Sequence, residues 1–76
     1  MSSVTLYGRP DCHLCDEARA ALERVRATYP FSLAEIDIET DDELLKRYLE
    51  RIPVVSVDGE ERFELFVDGE VLKRTL

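Results

Sequence analysis

Two cysteines, Cys12 and Cys15, are the residues of this chain whose type and spacing most directly suggest chemistry. They are the only cysteines in the 76-residue sequence, and they stand where a short apolar run gives way to a helical pattern. Thiols three positions apart at a helix N-terminus can close a small, reducible disulfide. The free N–H groups and the helix dipole there lower the pKa of the first thiol. The pattern predicts thiol–disulfide exchange with Cys12 as nucleophile and Cys15 as resolving thiol, because the helix exposes the first thiol and partly shields the second.

Charged neighbours of the cysteines could tune this chemistry. A protonated His13 would stabilise the Cys12 thiolate, and Arg9 would act in the same way if it folds over the site. A merely solvated role for His13 is an equally open interpretation. Three nearby carboxylates oppose both cations: Asp11, Asp16 and Glu17.

Composition limits the classes of partner. The net charge is −7 and no basic footprint is present, which argues against nucleic-acid binding and against attraction to anionic membranes. No apolar segment approaches the length of a transmembrane helix, and the N-terminus lacks the basic start and apolar core of a signal peptide. We expect one domain over residues 1–76 in the cytoplasm, where a lasting structural disulfide would be unusual.

The hydrophobic periodicity predicts strand, helix, strand for the first half of the chain. Residues 4–7 indicate a strand, Asp11 is the expected N-cap, and Pro30 the expected end of the helix. Residues 31–38 alternate as a strand exposed on one face, with Ala34, Ile36 and Ile38 on the apolar side. The predicted buried stripe of the helix comprises Leu14, Ala18, Ala21, Leu22, Val25 and Tyr29.

The second half predicts a helix, a hairpin and a short final helix. Thr40 begins a capping box, and residues 54–57 are apolar enough for a central strand. Asp58-Gly59 is a strong two-residue hairpin signal, and Asp68 could cap the last helix, with a third strand as the competing interpretation. The expected core positions here are Leu44, Leu45, Tyr48, Leu49, Phe63 and Leu65.

The segment from Leu6 to Cys15 resembles the active-site segment of glutaredoxins, within the thioredoxin-fold superfamily. Ile52-Pro53-Val54 resembles the second signature of that superfamily, a cis-proline that opens the third strand. The resemblance implies a thioredoxin-like (glutaredoxin-like) three-layer α/β/α fold with a four-stranded mixed sheet of order 2-1-3-4. It also implies that Pro53 lies against the cysteines and that the Ile52 backbone hydrogen-bonds the substrate. Pro53 could alternatively be a simple break between helix and strand.

Two departures from glutaredoxins bear on the substrate. His13-Leu14 replaces the common Pro-Tyr, and residues 65–69 retain a single glycine where a Gly-Gly pair usually receives glutathione. We therefore expect a monomeric disulfide oxidoreductase of cell redox homeostasis and electron transport without a bound cofactor, acting on protein disulfides or low-molecular-weight thiols, with glutathione a weak reductant. The alternative is a non-catalytic carrier that holds a partner or a metal through the same cysteines. A zinc site is disfavoured because a second Cys/His pair is missing, and a shared iron–sulfur cluster is the other metal alternative.

Overall fold

Strands and helices alternate along the part of the chain that the computed structural model describes, residues 2–76. The elements are β1 (Ser3–Gly8), α1 (His13–Arg26), β2 (Ser32–Asp37), a 3-10 turn (Ile38–Thr40), α2 (Asp42–Tyr48), β3 (Val54–Val57), β4 (Glu60–Glu64) and α3 (Gly69–Thr75). The predicted order is therefore confirmed. The segment after Asp68 is a helix and not a further strand after the hairpin.

The sheet has the order β2-β1-β3-β4, with β1 parallel to β2 and the other two pairs antiparallel. This is the mixed sheet that the resemblance implied. Tyr7 near the end of β1 is paired with Val54 at the start of β3. The chain that leaves β1 toward the cysteines therefore starts beside the chain that enters β3 through Pro53.

Helices cover both faces of the sheet. The larger apolar cluster joins β1 and β3 to α1 and α3, with Leu6, Leu22, Val55 and Leu72 all at most 2% exposed. A smaller cluster of Ile38, Tyr48 and Val54 lies under α2 on the other face. All four residues of β3 are buried, as a central strand requires. The first cluster holds α1, and with it the cysteines, against the sheet.

The predicted limits of α1 are wrong at both ends. Cys12 is the N-cap, because its sulfur accepts the N–H of Cys15, and Asp11 instead takes a left-handed backbone with φ of 58°. The helix ends at Arg26, four residues before Pro30, and the N–H groups of Thr28 and Tyr29 both turn back to the Val25 carbonyl. Tyr29 is consequently 45% exposed and does not belong to the buried stripe.

Leu14, in the first turn of α1, is 45% exposed and is also outside the core. Around β2 the buried side differs in part from the prediction. Phe31, just before the strand, and Leu33 pack into the larger cluster and Ala34 is exposed, whereas Ile36 is half-buried. Ile38 is buried, but it belongs to the 3-10 turn and faces α2.

The cap of α2 lies one residue later than predicted. Asp41 is the N-cap and accepts the N–H of Glu43, whereas Thr40 closes the preceding 3-10 turn. Leu49 follows the end of the helix and is 44% exposed, so it is not core. Leu65 is not core either, because its backbone has a φ of 73° and its side chain is 49% exposed.

Two predicted local signals are confirmed. Asp58 and Gly59 connect β3 and β4 with φ values of 50° and 87°, both positive as a type I′ hairpin turn requires. Asp68 caps α3 and accepts the N–H groups of Glu70 and Val71. Phe63 is half-buried and packs against the larger cluster, as expected.

Candidate active site

Cys12 and Cys15 form a disulfide across the first turn of α1, with their Cα atoms 5.2 Å apart. The Cys15 N–H donates to the Cys12 Sγ atom at 3.2 Å, and the Asp16 N–H donates to the Cys12 carbonyl. The Cys12 sulfur thus occupies the place of an N-cap oxygen. A backbone donor aimed at sulfur favours its anionic form once the disulfide is opened, because a hydrogen bond to the charged form stabilises that form.

The two sulfur-bearing residues differ sharply in exposure. Cys15 is 1% exposed, whereas Cys12 is only half-buried. Cys12 is therefore the more accessible of the two to a group that comes from solvent. This asymmetry matches an exposed attacking thiol with a shielded partner behind it.

Gly8 makes room for Cys15. A β-carbon on residue 8 would lie 3.0 Å from the Cys15 Sγ atom and 3.3 Å from its β-carbon, which is closer than ordinary packing allows. The sequence interpretation did not single out Gly8. A glycine at the end of a strand, four residues before a cysteine pair, is the signal that could have pointed to it.

An open pocket of about 270 Å³ lies beside Cys15, between α1 and the ends of β1 and β2. Its charged lining includes Arg19, which bonds both Asp16 and Glu35. These carboxylates raise the pKa of Arg19 above its usual value, Glu35 more than Asp16. The pocket wall therefore carries more acidic than basic side chains and is not a free cationic site.

Both predicted tuning cations are close to carboxylates. The His13 Nε2 atom lies 3.4 Å from Glu17, one helical turn along α1, and the His13 side chain is 85% exposed. The Arg9 guanidinium lies 3.0 Å from Glu39 in the 3-10 turn, and Arg9 lines the pocket beside Cys15. Each carboxylate opposes the effect that its cation would have on the thiols.

Pro53 is fully buried, and the Ile52–Pro53 peptide bond is cis. The Leu65 N–H donates to the Pro53 carbonyl at 2.9 Å and to the Arg51 carbonyl at 3.2 Å. The Ile52 N–H already donates to the Tyr48 carbonyl at 3.0 Å. The Ile52 N–H is therefore already engaged within the chain.

A side-chain cluster fixes the segment before Pro53. Arg51 pairs with Glu61 and with Glu64 on β4, and the Tyr48 hydroxyl also donates to Glu61. The Arg51 guanidinium lies 5.4 Å from the centre of the Tyr48 ring. Sequence reasoning missed this cluster because its members come from a helix end and a hairpin, whose juxtaposition depends on the fold.

Within residues 2–76, no group of three or more His, Cys, Asp and Glu side chains is arranged to hold a metal ion. No helix in the same range is long and apolar enough to cross a membrane.

The sequence of this chain is similar to that of a known protein family. Residues 3–76 match the family model of the Glutaredoxin-like domain (DUF836). The chain belongs to this family. No curated protein sequence matches this glutaredoxin-like domain.

Solved structures agree with that assignment. Protein Ne2328 from Nitrosomonas europaea is 31% identical with a TM-score of 0.86, covering 99% of this glutaredoxin-like domain and 91% of that chain. Protein XcR50 from X. campestris is 34% identical with a TM-score of 0.77, covering 95% and 92% of the two chains. A mutant thioredoxin from Halobacterium salinarum, 22% identical with a TM-score of 0.69, covers 97% of this domain and is itself covered to 70%. This last similarity shows the thioredoxin-like fold alone.

Proposed function

We propose that this glutaredoxin-like domain is a thiol–disulfide oxidoreductase with Cys12 as nucleophile and Cys15 as resolving thiol. In the reducing direction, the Cys12 thiolate attacks one sulfur of a substrate disulfide and expels the other sulfur as a thiolate, which leaves a mixed disulfide. Cys15 then loses its proton and attacks the Cys12 sulfur, which expels the second substrate thiolate. Two electrons pass to the substrate, and the domain ends with the Cys12–Cys15 disulfide.

The observation that carries this proposal is the disulfide across the first turn of α1, with a half-buried Cys12 that receives the Cys15 N–H and a Cys15 that is 1% exposed. Exposure and the backbone donor both favour Cys12 as the attacking thiolate. Burial keeps Cys15 from competing for the substrate, while its position next to Cys12 favours rapid resolution.

The substrate in this proposal is a protein disulfide or a disulfide of a low-molecular-weight thiol, and the domain works as a cytoplasmic monomer without metal or nucleic acid. His13 and Arg9 are the proposed tuning residues, and Ile52 with Pro53 the proposed substrate contacts. Glutathione is expected to be a poor reductant, because Leu65 and Phe66 present bulky side chains where glutaredoxins usually have a Gly-Gly pair. Phe66 is 68% exposed and Leu65 takes a positive φ.

The proposal is tested by trapping. A Cys15→Ser variant, reduced and mixed with a symmetric peptide disulfide, should accumulate a mixed disulfide on Cys12, identified by mass spectrometry of the intact and digested protein. The wild type should instead form the internal disulfide and release two peptide thiols. Cys12→Ser is the control and should form no adduct at a comparable rate.

Two results would contradict the proposal. Adduct formation in Cys12→Ser at the rate of Cys15→Ser would remove the assignment of the nucleophile. Failure of the wild type to exchange with any disulfide would favour the carrier alternative, in which the cysteines hold a partner without turnover.

A further inference from the structure

A groove follows α1 away from the cysteine pair, between the helix and the segment that joins β4 to α3. It encloses about 350 Å³, and its apolar lining includes Leu14, Leu65 and Phe66. These side chains are 45%, 49% and 68% exposed, so each leaves a large apolar surface in solvent. Leu14 lies between the two cysteines in sequence. The groove therefore begins where a disulfide substrate must approach.

The groove also contains an unpaired cation. Arg24 lines it, and no carboxylate within residues 2–76 forms an ion pair with Arg24. Most other basic side chains are paired, although the protein carries an excess of acid. The carboxylate in the groove, Glu17, lies one turn from the cysteines and is close to His13. An occupant thus meets apolar surface near the cysteines and a free guanidinium farther along.

The spacing fixes how long the occupant must be. Leu14 and Arg24 are ten helical residues apart, which corresponds to about 15 Å along α1. An extended chain covers about 3.3 Å per residue, and helical side chains lean toward the N-terminus, so roughly three to five residues bridge the cysteine site and the guanidinium.

We propose that this groove selects protein disulfide substrates by two features of the sequence around the reacting cysteine. A large apolar residue lies directly before or after that cysteine, and a carboxylate that pairs with Arg24 lies roughly three to five residues away from it. The inference rests on the proposed oxidoreductase function and specifies its substrate class. Arg24 acts as a specificity-determining residue, and Leu14, Leu65 and Phe66 form the wall that receives the apolar side chain. Glutathione has a single residue on either side of its cysteine, so neither of its carboxylates spans the groove to Arg24.

The test uses the full chain in its reduced form and symmetric peptide disulfides, whose two sulfurs are equivalent. Each peptide carries leucine beside its cysteine and either glutamate or glutamine four residues from the cysteine. The glutamate or glutamine lies on the N-terminal side of the cysteine in one pair of peptides and on the C-terminal side in the other. The readout is the second-order rate at which Cys12 and Cys15 become oxidised, followed by acid quenching and mass spectrometry. Glutathione disulfide is the short reference substrate.

For the wild type we expect one of the two glutamate peptides to react about two- to fivefold faster than its glutamine counterpart, the range that a partly exposed ion pair supplies. Arg24→Gln should abolish that preference, and Arg24→Lys should retain part of it. Arg74→Gln, which removes one exposed charge from α3 outside the groove, should leave the preference intact. Phe66→Ser should slow the reaction of the leucine peptides, but not that of matched peptides in which serine replaces the leucine. Rates with glutathione disulfide should be unchanged in the two Arg24 variants and in Arg74→Gln.

The outcomes separate the inference from the function on which it rests. Equal rates for glutamate and glutamine peptides, or a preference that survives in Arg24→Gln, would overturn the proposal that the groove selects substrates. Oxidation of the domain by glutathione disulfide in the same experiment would still support the oxidoreductase function. Loss of the preference in Arg74→Gln as well would assign it to overall charge, and would also overturn the role of Arg24. Absence of oxidation by every disulfide would overturn the proposed function itself.

Discussion

Gly8 at the end of β1 lies against Cys15 in the first turn of α1, with no room for a side chain between them. A β-carbon at residue 8 would be 3.0 Å from the Cys15 Sγ atom. The close approach lets α1 begin directly over the end of the sheet, so that Cys15 is buried while Cys12 stays at the surface. The asymmetry between the two thiols therefore depends on a residue outside the cysteine motif.

Replacing Gly8 by alanine should destabilise the disulfide form by about 1–3 kcal/mol, the usual cost of adding a methyl group where packing is already tight. Gly69→Ala is the matched control. The added β-carbon there meets Val25 at 3.4 Å, an ordinary contact, and alanine is favoured over glycine within a helix. Urea denaturation of both variants checks the difference. Equal stability of Gly8→Ala and wild type would show that α1 shifts at no cost.

Leu65 should tolerate glycine unusually well. With φ at 73°, its backbone is in a region that costs a non-glycine residue about 1–2 kcal/mol. Relief of this cost in Leu65→Gly should offset the entropic cost of glycine and the loss of the leucine side chain. We expect Leu65→Gly to change the free energy of unfolding by less than about 0.5 kcal/mol. Leu49→Gly, at similar exposure but with φ of −49°, should cost about 1 kcal/mol. Similar losses in both variants would contradict backbone strain at Leu65.

The difference between what the sequence predicted and what it missed follows from the range of the interactions involved. Element order, the hairpin at Asp58-Gly59 and the cap at Asp68 depend on neighbours within a few residues, and each was predictable. The cap was predicted at Asp11, a usual capping residue, whereas the Cys12 sulfur accepts the N–H here. The exposure of Leu65 was missed because strand alternation stops where its φ turns positive.

The parts of the site that depend on tertiary structure were not accessible from sequence. Arg51 meets Glu61 and Glu64 only because β4 returns beside β3, next to the end of α2. Likewise, Arg24 and Phe66 share a groove only after α1 packs beside the segment before α3. Periodicity identifies which face of an element is buried, but not which exposed residues of distant elements meet.

Glu17 should restrain the reactivity of Cys12. Its carboxylate lies near the N-terminus of α1 and 3.4 Å from His13, so it opposes the thiolate and offsets a protonated imidazole. In reduced protein, Glu17→Gln should speed iodoacetamide labelling of Cys12 about two- to threefold near pH 6, a gain of the size expected for an exposed helical pair. The gain should persist in a His13→Gln background, because the repulsion between the Glu17 carboxylate and the thiolate does not require the imidazole. Glu23→Gln, at the far end of α1, is the control. An unchanged labelling rate in Glu17→Gln would show that this carboxylate does not act on the thiol.

Stability should fall in acid through Glu61. Hydrogen bonds from Arg51, and secondarily from Tyr48, hold the pKa of Glu61 below its usual range. A depressed pKa in the folded state contributes stability above the unfolded value, near 4.3, and this contribution is lost as the pH falls toward the folded value. Between pH 7 and pH 3, the free energy of unfolding should therefore fall more steeply in the wild type than in Glu61→Gln. Glu50→Gln, at an exposed carboxylate without an ion-pair partner within residues 2–76, should keep the wild-type slope. Identical slopes for wild type and Glu61→Gln would contradict this role.

The two thiols should differ in reactivity once the disulfide is reduced. Cys12 is half-buried and accepts the Cys15 N–H, whereas Cys15 is 1% exposed, so both access and thiolate stability favour Cys12. At pH 7 we expect iodoacetamide to label Cys12 at least about tenfold faster than Cys15, measured in Cys15→Ser and Cys12→Ser respectively and in the reduced wild type by peptide mapping. In 6 M guanidinium chloride the two rates should converge, because helix and burial are both gone. A native ratio near one, or faster labelling of Cys15, would reverse the assignment of nucleophile and resolving thiol and require the substrate to approach from the pocket beside Cys15.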